Sequence, residues 1–500
     1  MFERVTASAA GLRERLDALI DTVSPRMGAE RRAWRATSEH LGSRIGRKTR
    51  IRGDIPSGGR ADHYLGSDRW NEIEVARRLE RESPLAESLL ARSVENIVGP
   101  GFGHQAKTGS PRWNKRVEKL WAEWCEGPCD VRGLSPMSEL LRLTCRGRLR
   151  DGDQGTALLS VGSLQIFESD QIVSPSRSPV PTKNMVDGVE LDHSGRPIAY
   201  HVVSNPDPVL GSVRFGNKTT EIPAESFVFT AKRTRHGQTR GMPPLAKIAW
   251  LLEQIDGNIQ AVTVASRMAA CIGLVIQRDK KTSGLPTDQD GRPLLKLQPG
   301  FVAEVGQKDN VTQVQQTQPG TDWPNYLAAL LRLAALEFGL PLEIGFLDVS
   351  RANYTNLRAA YLQSQRTWKI EQDALKCWLT AIYRWKVYNW IREGKLEPRR
   401  DAFAHLWVPA PWTWVDPEKE FKAKLAAVDA GVLTKGMLAL EQGHDLADIA
   451  EARGKELELF EKHKIPEVRS TLTRDPVVAQ EAEEPEEPEP EPTADPKKAA

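Results

Sequence analysis

Two aspartates one residue apart, Asp151 and Asp153 in the run RLRDGDQG (148–155), are the side chains whose type and spacing best suit chemistry. Paired carboxylates can hold Mg²⁺ and activate water. The same run also reads as a helix-to-strand turn, where Asp-Gly is favoured for backbone reasons. Cys125 and Cys129 form a CEGPC pair, but no second pair follows at zinc-ligand spacing, and Cys145, Cys271 and Cys377 stand alone. An odd, irregular set of five cysteines fits packing thiols in a reducing compartment. His104, His193 and His236 each sit beside Gly or Ser in loop-like sequence. The chain has no Gly-x-x-x-x-Gly-Lys-Ser/Thr loop, no Gly-x-Ser-x-Gly elbow and no His-Glu-x-x-His. The expectation is a protein with no catalytic residue, no metal and no cofactor.

The elements around these residues carry more information. Residues 69–98 read as helix interrupted at Pro84, 115–124 as a second helix, and 135–150 as a third with Ser135 as its N-cap. The period then changes: 156–162, 188–203 and 225–231 are short strands, the middle one a hairpin turning at His193-Ser194-Gly195. Helices leading into a mainly antiparallel sheet indicate an α+β fold.

From Pro243 a heptad-like seam begins, with Leu245, Ile248, Leu252, Ile255, Ile259 and Val262 at alternating spacings of three and four. It predicts a helix over 244–270, roughly 40 Å long at 1.5 Å per residue. After a punctuated insert (271–320), a second helix starts at Thr321-Asp322-Trp323-Pro324, carries Leu327, Leu331, Ala334 and Phe338, and ends at Gly339. A Pro/Gly-rich loop leads to a very long helix, 356–393, stopped by Gly394. HLWVPAPWTW (405–414) reads as a compact connector, followed by helices at 417–430 and 434–463 with a break at Gly443. These seams need apolar neighbours, from a hairpin within the chain or from adjoining copies.

Charge is concentrated at the ends. From Arg26 to Arg60 there are ten Lys/Arg and three Asp/Glu, and from Glu481 to Ala500 eight acids and two lysines, so the formal net charge is only +2. Both ends read as flexible. The most apolar stretch, 261–276, is broken by Ser266 and Arg267 and is too short to span a bilayer, so no membrane partner is expected.

Five segments, in this order, resemble the portal proteins of lambda-like tailed phages. They are LARSVENIVGPGF (90–102), LQIFESDQIVSP (164–175), DGVELDHSGRPIAYHV (187–202), RHGQTRGMPPLAKI (235–248) and LRLAALEFGLPLEIGFLDVSRANYTNLRAAYLQSQRTW (331–368). The resemblance spans roughly 70–470. It implies the portal fold: a basic arm (1–60), a wing (61–242), stem helix 1 (243–270), a clip (271–320), stem helix 2 (321–339), a tunnel loop (340–357), a long wing helix and connector (358–410), a helical crown (411–466) and an acidic Pro/Glu tail (467–500). It also implies a closed homo-oligomeric ring, typically of twelve, at one vertex of the virion capsid, assembled in the host bacterial cytoplasm.

The partners implied are double-stranded DNA in a central channel, the terminase large subunit, major capsid or scaffold protein, and head–tail connector proteins. The tunnel-loop residues Arg351, Asn353, Tyr354 and Asn356 would lie beside DNA, and Lys247 and Arg267 would face the channel. Leu245, Ile248, Leu252, Ile255, Ile259, Val262, Leu327 and Leu331 would line subunit contacts, so Ile255→Asp would block ring closure while leaving the wing folded. Two other readings compete: a Mg²⁺-dependent nuclease or terminase-like protein using Asp151 and Asp153, and a minor capsid adaptor without a channel. The arm and the tail match nothing in the family core.

Overall fold

The computed structural model describes residues 62, 69–175, 184–203, 219–271, 275–277, 310–312, 320, 322–350, 353–412 and 417–464. The basic arm, most of the insert, Arg351 and the acidic tail lie outside the described residues. The chain divides into two units, up to Ala423 and from Lys424 onward.

In the first unit, α1 (Arg69–Glu82) and α2 (Pro84–Ile97) meet at Ser83, because Pro84 suits a first helical turn and ends the preceding helix. Next come β1 (Phe102–Ala106), α3 (Pro111–Glu126) and α4 (Met137–Arg150). Strands β2 (Asp153–Leu158), β3 (Leu164–Phe167), β4 (Met185–Val186), β5 (Val189–Leu191), β6 (Pro197–Val202), β7 (Thr220–Pro223) and β8 (Phe227–Ala231) follow. The chain then enters α5 (Pro244–Lys247) and α6 (Ala249–Cys271), a short β9–β10 pair (Val275–Gln277 with Asn310–Thr312), α7 (Trp323–Leu336) and α8 (Leu342–Gly345). It closes with α9 (Tyr354–Arg392), β11 (His405–Pro409) and α10 (Pro417–Asp429), the last crossing into the second unit.

All strand ladders are antiparallel. One sheet runs β3-β2-β8 and another β4-β5-β6-β7. The architecture is α+β, as the change of period implies. Two details depart from the sequence reading. Ser135 does not cap α4: Pro136 holds that position, and Asp130 orders the approach by accepting the Leu134 and Ser135 amides at 2.8 and 2.9 Å. Within the 405–414 run, His405–Pro409 is a strand, since β11 pairs with β1 from His405↔Ala106 to Pro409↔Phe102.

The 39-residue helix α9, roughly 58 Å long, is the backbone of the unit. Trp368, Leu375, Trp378, Leu379, Ile382, Tyr383, Val387 and Trp390 recur at helical spacing and are buried, packing against α2 and the β2–β8 sheet. Gly394, at φ +74°, ends the helix in the left-handed region that glycine tolerates. Asn353 starts it by accepting the Thr355 amide at 3.1 Å.

Near the β1–β11 pair, Trp121, Tyr383, His405 and Trp407 surround His104, whose ring lies 4.4 Å from that of Tyr383 and 5.1 Å from that of Trp407. Neither His104 ring nitrogen has a hydrogen-bond partner. Burial, then the nearby His405, pulls its pKa from 6.5 down to about 3. A histidine held neutral in the fold lends stability above its ordinary pKa, and loses it as pH falls through 6.5 toward 3, because the unfolded chain takes up the proton first. The denaturation midpoint is therefore expected to fall between pH 6.5 and 4.5, and His104→Phe to flatten that fall. An identical pH profile for the variant would contradict this.

In the second unit, α11 (Lys435–Glu441) and α12 (Leu446–Lys462) are capped by Thr434 and Asp445, which accept the Met437 and Ala447 amides. Gly443, at φ +83°, lies between them. No residue of α12 is buried, and Met437, Leu446, Ile449 and Leu459 are exposed.

Candidate channel and assembly surfaces

The acidic pair at 151 and 153 lies in a dense polar network in which arginines hold both carboxylates. Asp153 is fully buried and accepts from Arg240 at 2.8 and 2.9 Å and from the Gly241 amide at 2.7 Å, with Ser169 donating as well. Burial alone would raise the Asp153 carboxyl, but the Arg240 and Arg69 guanidiniums outweigh it and hold the group below the usual carboxylate range. Arg240 also donates to the Ser169 and Ile172 carbonyls at 2.8 and 3.0 Å. Arg69 bonds Asp187 and Ser169. Asp151 is taken by Arg77 and Arg150, each at 2.8 Å.

Among the described residues no group of three or more His, Cys, Asp or Glu could hold a metal ion. The Asp151 and Asp153 carboxylates are engaged by guanidiniums, at the lone pairs a cation would need. The network ties α1, the start of β2, the 169–171 turn and the β4–β5 turn to Arg240 and Gly241, just ahead of α5 and α6. It fixes where the long helix leaves the core. Cys125, Cys129 and Cys145 are free, and burial raises all three thiols, Cys129 to about 12. They stay protonated and pack.

The seam of α5–α6 is split in two. Leu245, Ile248, Leu252 and Ile255 are buried in the protomer's own main core. Packed this way within a single protomer, these four side chains keep little or no surface for a neighbouring copy, at most 6% at Ile248. Beyond them α6 leaves the core: Ile259 is 37% exposed, Val262 is half-buried and Val264 is 52% exposed. Leu327 and Leu331 on α7 are half-buried against the core.

The sequence reading missed the opposite face of α7. Ala328, Ala334 and Ala335 are buried, while Tyr326, Leu333 and Leu336 are 54, 55 and 68% exposed at seven- and three-residue spacing. Asn325 and Arg332 are exposed on the same side, so this face is mixed, with three large apolar side chains left uncovered in one protomer. Counting apolar residues on both faces of 323–336, and not along one seam only, would have found it.

Lys247 does not present a free charge, since its ammonium lies 2.6 Å from Glu337 at the end of α7. Arg267 is exposed on α6. In the loop after α7, Asp348 accepts from the Ser350 amide and hydroxyl at 3.1 and 2.6 Å, and Leu347 and Val349 are exposed. Arg351 lies outside the described residues. Asn353 is the α9 cap, and Tyr354 and Asn356 are exposed on its first turn.

The loop, the far part of α6 and one side of α7 thus carry exposed apolar and polar side chains. No helix among the described residues is long and apolar enough to cross a membrane. A probable portal protein of Halomonas phage phiHAP-1 is 22% identical over 438 residues, covering 82% of this chain and 84% of that protein. Among solved structures, a chain from the neck of a native GTA particle computed with C12 symmetry is 13% identical over 76% of this chain and 94% of its own, with a TM-score of 0.46. A chain from the virion of a native gene transfer agent particle is 12% identical over 80% of this chain and 99% of its own, with a TM-score of 0.45. The family described as "Phage portal protein, lambda family" matches residues 47–372, a span that holds the Asp153–Arg240 network, α6, α7 and the first turns of α9. The chain belongs to that family.

Proposed function

We infer that this chain is the ring-forming subunit of a portal at a capsid vertex, a conduit and not an enzyme. The observation that carries the reading is the uncovered apolar face of α7, with Tyr326, Leu333 and Leu336 exposed beside the half-exposed far end of α6. A neighbouring copy packed head to tail would cover it, and repetition of such a heterologous contact closes a ring. Family membership supports a ring of about twelve around double-stranded DNA. In that arrangement the wing is 61–242 with 358–410, the stem 243–270 with 321–339, the clip 271–320 and the crown 411–466. The clip would receive the terminase large subunit and later the head–tail connector proteins, and the wing would meet capsid or scaffold protein. Assembly would take place in the host bacterial cytoplasm.

The channel must guide a polyanion without gripping it, since each neutralised phosphate adds salt-dependent affinity. A loop with few cations per copy suits that need, and Arg351, Asn353, Tyr354 and Asn356 are its DNA-proximal residues in this reading. With Lys247 held by Glu337, Arg267 is the stronger cation on α6. Arg351→Glu is expected to allow rings to form but to lower DNA packaging in a packaging reaction. Packaging at the wild-type level would remove Arg351 from the channel.

A further inference from the structure

The N-terminal half of α3 carries Arg112, Lys115, Arg116 and Lys119 at i, i+3, i+4 and i+7, all exposed on the face opposite the buried Trp113, Val117 and Trp121. The turn after α9 adds exposed Arg399 and Arg400. Three contacts hold the two segments side by side. The Lys107 amide donates to the Ala404 carbonyl at 2.9 Å, the Gly109 amide to Asp401 at 2.8 Å, and the Trp113 indole to the Glu397 carbonyl at 3.1 Å. Residues 107–119 and 392–401 together hold nine Lys/Arg and four Asp/Glu, a surplus of five positive charges, with Arg399 paired to Asp401 at 2.9 Å, Lys395 to Glu393 at 2.7 Å and Lys119 to Glu123 at 3.8 Å.

The charges on α3 run against its dipole. Its first turn has no acid and its last turn no base, while Glu123 and Glu126 sit at the C-terminal end. Cations at a helix N-terminus and acids at its C-terminus weaken the helix, and the exposed Lys119–Glu123 pair at 3.8 Å returns little of that cost. None of the large exposed hydrophobic residues lies on α3. A protein partner would ordinarily want an apolar or aromatic anchor there. A row of cations spanning about 10 Å along the helix suits a backbone of regularly spaced phosphates, read without regard to sequence.

We propose that this surface binds the phosphate backbone of double-stranded DNA on the outside of the protomer, separately from any channel. It rests on the portal reading only for the source of the DNA. The test uses full-length protein and a small closed duplex circle, which cannot thread a bore. Binding is measured by mobility shift over a salt series for wild type and for Arg112→Gln, Lys115→Gln, Arg116→Gln and Lys119→Gln combined. The variant is expected to bind about tenfold or more weakly, with the slope of log affinity against log salt reduced by about 3.5, and with unchanged circular dichroism and native mass.

If the combined variant is misfolded, Lys119→Gln alone is expected to lower the slope by about 1. Unchanged affinity and slope would overturn the proposal, as would loss of binding to a poly-glutamate peptide with DNA binding intact. If the protein fails to form rings yet the variant still loses the circle, this surface stands and the ring reading falls.

Discussion

Arg240→Ala is expected to destabilise the protomer by about 3–5 kcal/mol, a large part of the roughly 5–15 kcal/mol that holds a typical domain together. The reason lies in what the change leaves behind. Asp153 has no solvent access and gives its carboxylate to Arg240 through two bonds, at 2.8 and 2.9 Å. Without that guanidinium, a buried charge keeps only Arg69, Ser169 and one backbone amide, and the Ser169 and Ile172 carbonyls lose a donor. Asp153→Asn is expected to cost a comparable amount, because two buried guanidiniums then lack a counter-charge.

The sign with pH follows. A carboxyl held below its ordinary range stabilises the fold fully above that range and ceases to do so as pH falls through its lowered value. The loss of stability below about pH 4 should therefore be shallower in Asp153→Asn. Denaturant midpoints of the two variants decide the matter, and a change under about 1 kcal/mol in either would refute the network's role.

Ile255→Asp and Leu333→Asp are expected to fail in different ways. Ile255 is wholly buried in the main core of a single protomer, so a charge there should unfold the chain, with a cost above about 4 kcal/mol. That replaces the expectation the resemblance implied, in which Ile255→Asp blocked ring closure and left the wing folded. Leu333 is 55% exposed in one protomer; an aspartate there should leave the thermal midpoint within a few degrees of wild type, because surface changes cost within about 0.5 kcal/mol. Its effect should fall on assembly. Size-exclusion with circular dichroism separates the cases: soluble, folded Ile255→Asp protein would contradict the first, and intact Leu333→Asp rings the second.

Local signals in the sequence were reliable where the chain's own chemistry sets the outcome. Pro84 divides α1 from α2, Gly394 stops α9 and Gly443 separates α11 from α12, each with the backbone those residues favour. The Asp-Gly turn at 151–152 lies where backbone preference puts it. What escaped was long-range. Asp153 finds Arg69 and Arg240, more than eighty residues away in each direction, and no spacing rule links them. β1 pairs with β11 across three hundred residues, so a five-residue run beginning FGH looked like loop. Periodicity revealed that residues 245–262 make an apolar seam, but burial against the chain's own core and burial against another copy leave the same pattern. Only the structure divides the seam between Ile255 and Ile259. The basic row on α3 went unread, because the predicted helix began at 115 and left out Arg112, and its joining to Arg399 and Arg400 needed the fold.

The most direct test of the account is electron microscopy of purified, assembled full-length protein beside Leu333→Asp. The account expects wild type to form closed rings with a bore wide enough to pass a DNA duplex, and the variant to remain as folded single protomers. Particles without a bore, or rings of the same size from the variant, would contradict it.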